Sequence, residues 1–385
     1  MSFLPHGNKQ GLKCTYDVAI HHGSLERMHD RRPPAPRPYF PSQSSKGSAS
    51  VTAAPVAFFQ RPYPSANSVL LLGRRPVLVD TGFGADTPAL LAWIARQGVY
   101  ARDLALVLNT HSHCDHAGGN YALESEFGTP IAAQVDEAVM VNTRDPDACR
   151  AAWLCQPVEP YQVTRQLQGG DTVGTGGTAW LVVGTPGHTA GHLSLYSAEH
   201  GVLVLGDALH DADVGWLNPY REGADSLDRA AETIERLAAL PASIGYSGHG
   251  PAIKDLPAAL DRARRRLASW QAEPERIAWH ACKRIFSHAL MLTGGLMETA
   301  LTPTLLAAPW FRDHAKYAFG LTPDAFVPVL MAEMLRSGAA KWRNGRLSAT
   351  AAHAAPQPGW PFAPTNPADW PPMVVRGTMT RAPSQ

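Results

Sequence analysis

The most chemically loaded stretch of the 385-residue chain is His111-Ser112-His113-Cys114-Asp115-His116. Four of its six side chains can donate to a metal ion, and the order His-x-His-x-Asp-His suits two neighbouring ions better than one. His111 and His113 share a parity at the end of an apolar strand-like run, so their rings can converge. Asp115 and His116 fall on the turn that follows. Three further donors have the same setting. His188 lies in Thr185-Pro186-Gly187-His188-Thr189-Ala190-Gly191-His192, Asp207 in Leu205-Gly206-Asp207, and His249 in Ser247-Gly248-His249-Gly250. Each follows a strand-like run beside glycine, which lets the backbone turn sharply and leaves room for an ion and a substrate. Imidazole and carboxylate suit zinc at about 2.0–2.2 Å, and iron and manganese accept the same donors. Two divalent ions about 3.5–4 Å apart share a water, lower its pKa and polarise a substrate oxygen. The expected chemistry is hydrolysis by a metal-bridging hydroxide, with no serine or cysteine nucleophile.

The elements that must carry these donors are legible as apolar runs. Residues 68–72 and 76–80 predict two strands joined by a turn at Gly73-Arg74-Arg75, residues 87–97 a helix, and 104–108 a short buried strand leading into the histidine run. Further strands are expected over 178–183, 193–196 and 202–205, and an amphipathic helix over 226–240. These flank a stretch read as loops. The pattern implies an α/β fold with sheets in the middle and helices outside. Beyond residue 254 the character changes to long helices, 258–270, 275–290 and 323–337, followed by a hairpin at 340–347 that turns on Asn344-Gly345. Helices ending in a small basic hairpin resemble a winged-helix module. The expected division is a Pro/Ser-rich arm over 1–50, a catalytic domain over 51–255, a mostly helical domain over 256–350 and a Pro-rich tail over 351–385.

Charge is balanced, with 34 basic and 33 acidic residues, which gives no global pull toward nucleic acid or an anionic membrane. The run Arg262, Arg264, Arg265, Arg266 reads as a solvated helix face. Five widely spaced cysteines without a CxxC point to a reducing compartment, and Cys114, of opposite parity to the donors, to packing. No apolar run approaches the ~18 residues a membrane span requires, so a cytoplasmic protein is expected.

With these motifs in place, the chain resembles the metallo-β-lactamase superfamily in its glyoxalase II-like and lactonase-like branch. The matching elements are Asp80-Thr81-Gly82, the run from His111 to His116, Pro186-Gly187-His188, Gly206-Asp207 and Gly248-His249-Gly250, in the family's order. The resemblance implies a four-layer αββα sandwich and assigns roles. His111, His113 and His188 would hold one metal, Asp115, His116 and His249 the other, and Asp207 would bridge them. Asp80, and with it His192, would hold ligands or neighbouring loops in place. Asp115 would also orient the attacking hydroxide. Asp207 argues against β-lactam hydrolysis, because true β-lactamases of the superfamily lack it. His210 occupies the offset at which the lactonase branch carries a substrate-contacting tyrosine, so it is a candidate hydrogen-bond donor or acid. Trp216 and Tyr220, in the loop that follows, are candidate substrate walls. Gly250-Pro251 after the last histidine departs from the glutathione thioesterases. The expected substrate is a small ester, lactone or thioester. A phosphodiesterase or ribonuclease and a non-catalytic metal-binding regulator are the alternatives, and a homodimer through the helical end is compatible with the pattern.

Overall fold

The computed structural model describes residues 55–156 and 158–355, so the arm over 1–50 and residues 356–385 of the tail lie outside the described residues. A six-stranded sheet runs in the order β1 (Val56–Phe59), β2 (Ser68–Leu71), β3 (Val77–Val79), β4 (Leu106–Leu108), β5 (Ile131–Gln134) and β6 (Arg165–Leu167). It is antiparallel as far as β3 and parallel from there on. A second sheet comprises β7 (Thr172–Gly174), β8 (Ala179–Gly184), β9 (Leu193–Ser197), β10 (Val202–Gly206) and β11 (Ile244–Ser247), with β10 and β11 parallel.

Strand alternation explains why these strands read as unbroken apolar runs. In β2 and β4, Val69, Leu71, Leu106 and Leu108 turn inward to meet Trp180, Val182, Leu195 and Val204 of the second sheet. Leu70 and Val107, one residue over, turn outward against α1 (Thr87–Arg96) through Leu90 and Ile94. The histidine run begins the short α2 (Cys114–Ala117), followed by α3 (Asn120–Phe127), α4 (Val135–Thr143) and the one-turn α5 (Ala151–Leu154). On the far side, after α6 (Pro219–Glu222), α7 (Ser226–Ala238) and α8 (Leu256–Ala272) cover Leu203 and Leu205 with Ile234, Leu237 and Leu267. The layers are therefore helix, sheet, sheet, helix, as the sequence predicts. The stretch read as loops is different: 120–143 is helix, strand, helix. Those two helices bury few apolar side chains, so their periodicity is faint in sequence.

The C-terminal region is α9 (Glu275–Leu292), β12 (Leu296–Met297), α10 (Glu298–Ala307), α11 (Pro309–Asp313), α12 (Pro323–Arg336) and a hairpin of β13 (Ala340–Arg343) and β14 (Arg346–Ala349). The three strands form a small sheet in the order β12–β14–β13. Asn344 and Gly345 both adopt positive φ, as the two-residue turn requires. Phe286, Leu290, Phe311 and Phe326 of these helices share one apolar core with Leu123, Ile131 and Trp153 of the sandwich. Past β14 the chain returns to the start of the sandwich, where the Ala354 amide donates to the Tyr63 carbonyl at 2.9 Å.

Leu108 is fully buried and immediately precedes the histidine segment. Leu108→Ala should lower stability by about 2–5 kcal/mol, read as a shifted denaturation midpoint with an unchanged slope.

Candidate metal centre

All seven donors emerge from the C-terminal ends of strands: the histidine run after β4, His188 after β8, Asp207 after β10 and His249 after β11. One backbone tie and one side-chain tie bring these ends together. Leu193 N–H donates to the Thr110 carbonyl at 2.7 Å, linking the two sheets beside the histidine run. Asn67 Nδ2 donates to the Ser247 and Gly250 carbonyls, each at 2.9 Å, so the loop carrying His249 is pinned to the first sheet. Two glycines make the convergence sterically feasible. At Gly206 the register of β10 against β11 slips and φ is +50°; a Cβ there would sit 2.6 Å from His192 Nε2. A Cβ at Gly248 would lie 2.3 Å from Asp207 Oδ1.

The result is two donor sets with a carboxylate between them. In the first, His111 Nε2 and His188 Nε2 each lie 3.0 Å from His113 Nδ1. In the second, His249 Nε2 is 3.1 Å and His116 Nε2 3.9 Å from Asp115 Oδ2. Asp207 places Oδ2 3.7 Å from His188 Nε2 and 3.8 Å from His249 Nε2, and Oδ1 3.5 Å from His116 Nε2. Every one of these residues is buried.

The neighbours fix which ring nitrogen faces the cluster. His188 Nδ1 donates to the Trp216 carbonyl at 2.7 Å, which leaves Nε2 as the lone-pair donor. Thr110 Oγ1 donates to Asp80 Oδ2 at 2.7 Å and lies 3.1 Å from His111 Nδ1, so His111 also turns Nε2 inward. Asp80 Oδ2 accepts from His116 Nδ1 at 2.8 Å. His192 Nε2 accepts the Asp207 backbone N–H at 3.0 Å while its Nδ1 donates to Thr185 Oγ1 at 2.8 Å, so both of its nitrogens are committed to holding the loop.

Divalent ions fit this set. Three ring nitrogens about one point, two of their separations 3.0 Å, approach the ~3.3 Å edge of a tetrahedron with bonds of about 2.0–2.1 Å. His116 Nε2 and Asp207 Oδ1, which face each other at 3.5 Å, are buried without a hydrogen-bond partner among the described residues. Burial holds His111, His113, His188 and His192 below the usual imidazole range, and so favours the neutral form a metal needs. Burial also pushes His116 down, but Asp80, Asp115 and Asp207 around it outweigh that and raise it. Asp115 and Asp207, which burial alone would raise, are held well below the carboxylate range chiefly by His116 and His249. Buried carboxylates in such numbers call for positive charge at the centre.

The cavity above the donors is walled by Tyr63, His210, Trp216, Arg284 and His288. His210 Nε2 stands 3.3 Å from Asp207 Oδ1, and neither ring nitrogen has a hydrogen-bond partner among the described residues. Trp216 stacks on the His113 ring at 5.3 Å with an interplanar angle of 9°. Tyr220 is not brought to this cavity; its ring turns to His314 and Tyr317 of the C-terminal region.

Three wall residues escape sequence reasoning. Tyr63 stacks on His249 at 4.8 Å and 7°, and its hydroxyl is hydrogen-bonded by Arg284. Arg284 Nη2 in turn donates to Asp213 Oδ2 at 2.5 Å. His288, read from sequence as unremarkable, packs edge-on against both Tyr63 and His249. The one trace in the sequence is the spacing of His280, Arg284 and His288, four apart along one face of a helix that also carries Glu275, Arg276 and Lys283, so it does not stand out.

A family profile described as the metallo-beta-lactamase superfamily matches residues 62–249. The hydroxyacylglutathione hydrolase of Rhizobium etli is 30% identical over 244 residues, covering 61% of this chain and 82% of that protein. The chain belongs to the metallo-β-lactamase superfamily. The acyl-coenzyme A thioesterase of Gallus gallus is 31% identical over 195 residues, 44% of this chain and 68% of its own length. The chain spans about half the length, 52% to 54%, of several other curated relatives it matches. Among solved structures, a metallo-beta-lactamase family protein from Thermus thermophilus is 24% identical, with a TM-score of 0.49 over 77% of this chain and 98% of that one. The relatives that the chain matches carry hydrolase or thioesterase names.

Asp80 reaches the cluster through His116 alone among the ring donors. Asp80→Asn should weaken metal binding roughly 10–100-fold, measured by competition with a chelator of known affinity. Glu137 lies under the loops, where its Oε1 accepts from Thr189 Oγ1 at 2.8 Å. Burial, reinforced by Glu222, raises its carboxyl to about 7 from the ordinary 4.5. Folding therefore favours its neutral form; that stabilisation is full below about pH 4.5 and is lost as the pH rises toward 7. In metal-free protein, Glu137→Gln should flatten the decline of the denaturation midpoint across that window; a decline as steep as in wild type would contradict it.

Proposed function

We propose that the chain is a dinuclear hydrolase that cleaves the carbonyl bond of a small thioester, ester or lactone, with zinc as the metal. The observation that carries the reading is the placement of Asp207, whose carboxylate lies between the His111/His113/His188 nitrogens and the Asp115/His116/His249 donors, within 3.5–3.8 Å of both sets. His111, His113 and His188 would hold one ion, Asp115, His116 and His249 the other, and Asp207 both. A bound pair of divalent ions supplies an acidified water and Lewis acidity toward the substrate oxygen. Around it, Asp80 orients His116, and His192 holds the Asp207 backbone. His210, with both ring nitrogens turned to no partner among the described residues, donates a hydrogen bond to the substrate oxygen or passes a proton to the leaving group. Burial holds its imidazole below the usual range, partly offset by Asp207. The Trp216 and Tyr63 rings close the cavity from opposite donor sets and exclude water from the reacting bond.

The relatives named as a hydroxyacylglutathione hydrolase and an acyl-coenzyme A thioesterase support the thioester as the first substrate to try. Four free cysteines among the described residues fit a reducing cytoplasm. We read the order of helix, strand, helices and hairpin at the C-terminal end as a winged-helix-like module.

The test is a hydrolysis panel of thioesters, lactones, phosphodiesters and a β-lactam, run with metal analysis. Thioester or lactone turnover that chelation abolishes and zinc restores is expected. His113→Ala and Asp207→Ala should each cost more than the roughly 10–100-fold expected for residues that merely support a ligand, with metal lost in parallel. Full activity in either variant at normal metal content would overturn the proposal.

A further inference from the structure

A histidine that binds a metal through one ring nitrogen is ordinarily held in orientation by a hydrogen bond at the other. Three of the donor imidazoles follow that rule: His111 is met by Thr110 Oγ1, His116 by Asp80 and His188 by the Trp216 carbonyl. The other two do not. His113 turns Nδ1 to the cluster, and its Nε2 is buried with no hydrogen-bond partner among the described residues. His249 turns Nε2 to Asp115 at 3.1 Å, and no described residue bonds its Nδ1; its backbone amide is engaged instead, by Ser247 Oγ at 3.4 Å. These are the same two rings that lie face to face with an aromatic side chain. His113 stacks with Trp216, ring centroids 5.3 Å apart at 9°, and His249 with Tyr63, 4.8 Å apart at 7°. Among the described residues no other donor imidazole is covered by a parallel Tyr or Trp ring; His188 meets Trp216 edge-on, at 80°. Each covering ring is itself fixed. Tyr63 is bonded at its carbonyl by Ala354 and at its hydroxyl by Arg284. Trp216 is bonded at its carbonyl by His188, and it follows Gly215, whose amide donates to the Asp207 carbonyl at 3.0 Å.

We propose that Trp216 and Tyr63 are positioning residues, one for each donor set, whose stacking takes the place of the missing hydrogen bond and fixes the tilt of His113 and His249. A ring laid flat on an imidazole hinders its rotation about the Cβ–Cγ bond, as a hydrogen bond would. An imidazole bound to a divalent ion also carries part of the ion's charge. The electron-rich face of tyrosine or tryptophan attracts that charge, so the contact is stronger with metal bound than without it. The two rings therefore support metal affinity, each at its own set, through the aromatic face and not through the phenol hydroxyl or the indole N–H. This inference rests on the dinuclear reading above and gives the same two side chains a second task besides excluding water.

The test measures zinc binding by chelator competition. Wild type should show two binding steps, and His249→Ala and His113→Ala identify which step belongs to which set. Tyr63→Leu should weaken the His249 step about tenfold and the other by less than about threefold, and Trp216→Leu should do the reverse. Tyr63→Phe and Trp216→Phe, which keep a ring face, should hold both steps within about threefold of wild type. Rings that served only to exclude water would lower turnover at unchanged zinc affinity. A leucine variant that binds both ions as tightly as wild type therefore overturns the assignment for its ring. A phenylalanine variant that loses as much affinity as the leucine one overturns the role of the ring face. Where a leucine variant does not fold, isoleucine at that position is held to the same criterion. Should wild type bind a single ion, the dinuclear reading fails, and the ring over the set that holds the ion is judged as above. No zinc binding by wild type overturns both.

Discussion

The constraint that organises this molecule is the burial of charge. Asp80, Asp115 and Asp207 crowd around His116, in a pocket from which solvent is almost wholly excluded. Such a group of carboxylates is tolerable only if each oxygen meets a donor or a cation, because an unpaired charge in that environment costs several kcal/mol. The surrounding construction answers that demand. Thr110 supplies its amide and hydroxyl to Asp80, and oxygens of Asp115 and Asp207 face the Nε2 atoms of His249 and His116. The glycines at 206 and 248 belong to the same logic, since any side chain there would occupy the place of a donor atom.

That demand is met at the rim of two sheets, not inside one. Strands buried on both faces are rigid, and their ends present short loops at a fixed spacing. Four such ends, drawn together by Asn67 and by the Leu193–Thr110 bond, deliver donors from residues as distant in the chain as 111 and 249. A layered sandwich does this with little dependence on the surface residues, which agrees with relatives retaining the family at around 30% identity.

Much of this was legible in the sequence, for particular reasons. Leu106–Leu108 and Val202–Gly206 are buried on both faces, so they appear as apolar runs that end at a histidine or an aspartate. The Asn344-Gly345 turn is legible because positive φ at both positions restricts the residue types. The helices around 120–143 were not, because α3 buries Asn120 and Leu123 and α4 buries a glutamate, which no apolar periodicity reports. Tyr63, Arg284 and His288 were illegible for another reason. Their types are ordinary, and what makes them part of the wall is the return of the C-terminal region onto the sandwich, a tertiary event that the four-residue spacing of Arg284 and His288 does not report by itself. Tyr220 shows the converse: adjacency in sequence to Asp207 and Trp216 did not carry it to the same cavity.

The hydrogen bond from Ala354 to the Tyr63 carbonyl has a wider meaning for how such a protein diversifies. It ties the aromatic ring that lies flat on His249 to the polypeptide that trails the hairpin, and Arg284 and His288 add a part of the wall that comes from a different stretch of the chain than the donors. Exchanging the trailing third for another would leave the seven donors, Tyr63, His210 and Trp216 in place while replacing the Arg284 and His288 side of the wall. The two can thus vary independently, the donors anchored in the rim of the sandwich and this side of the wall carried by whatever is folded back across it.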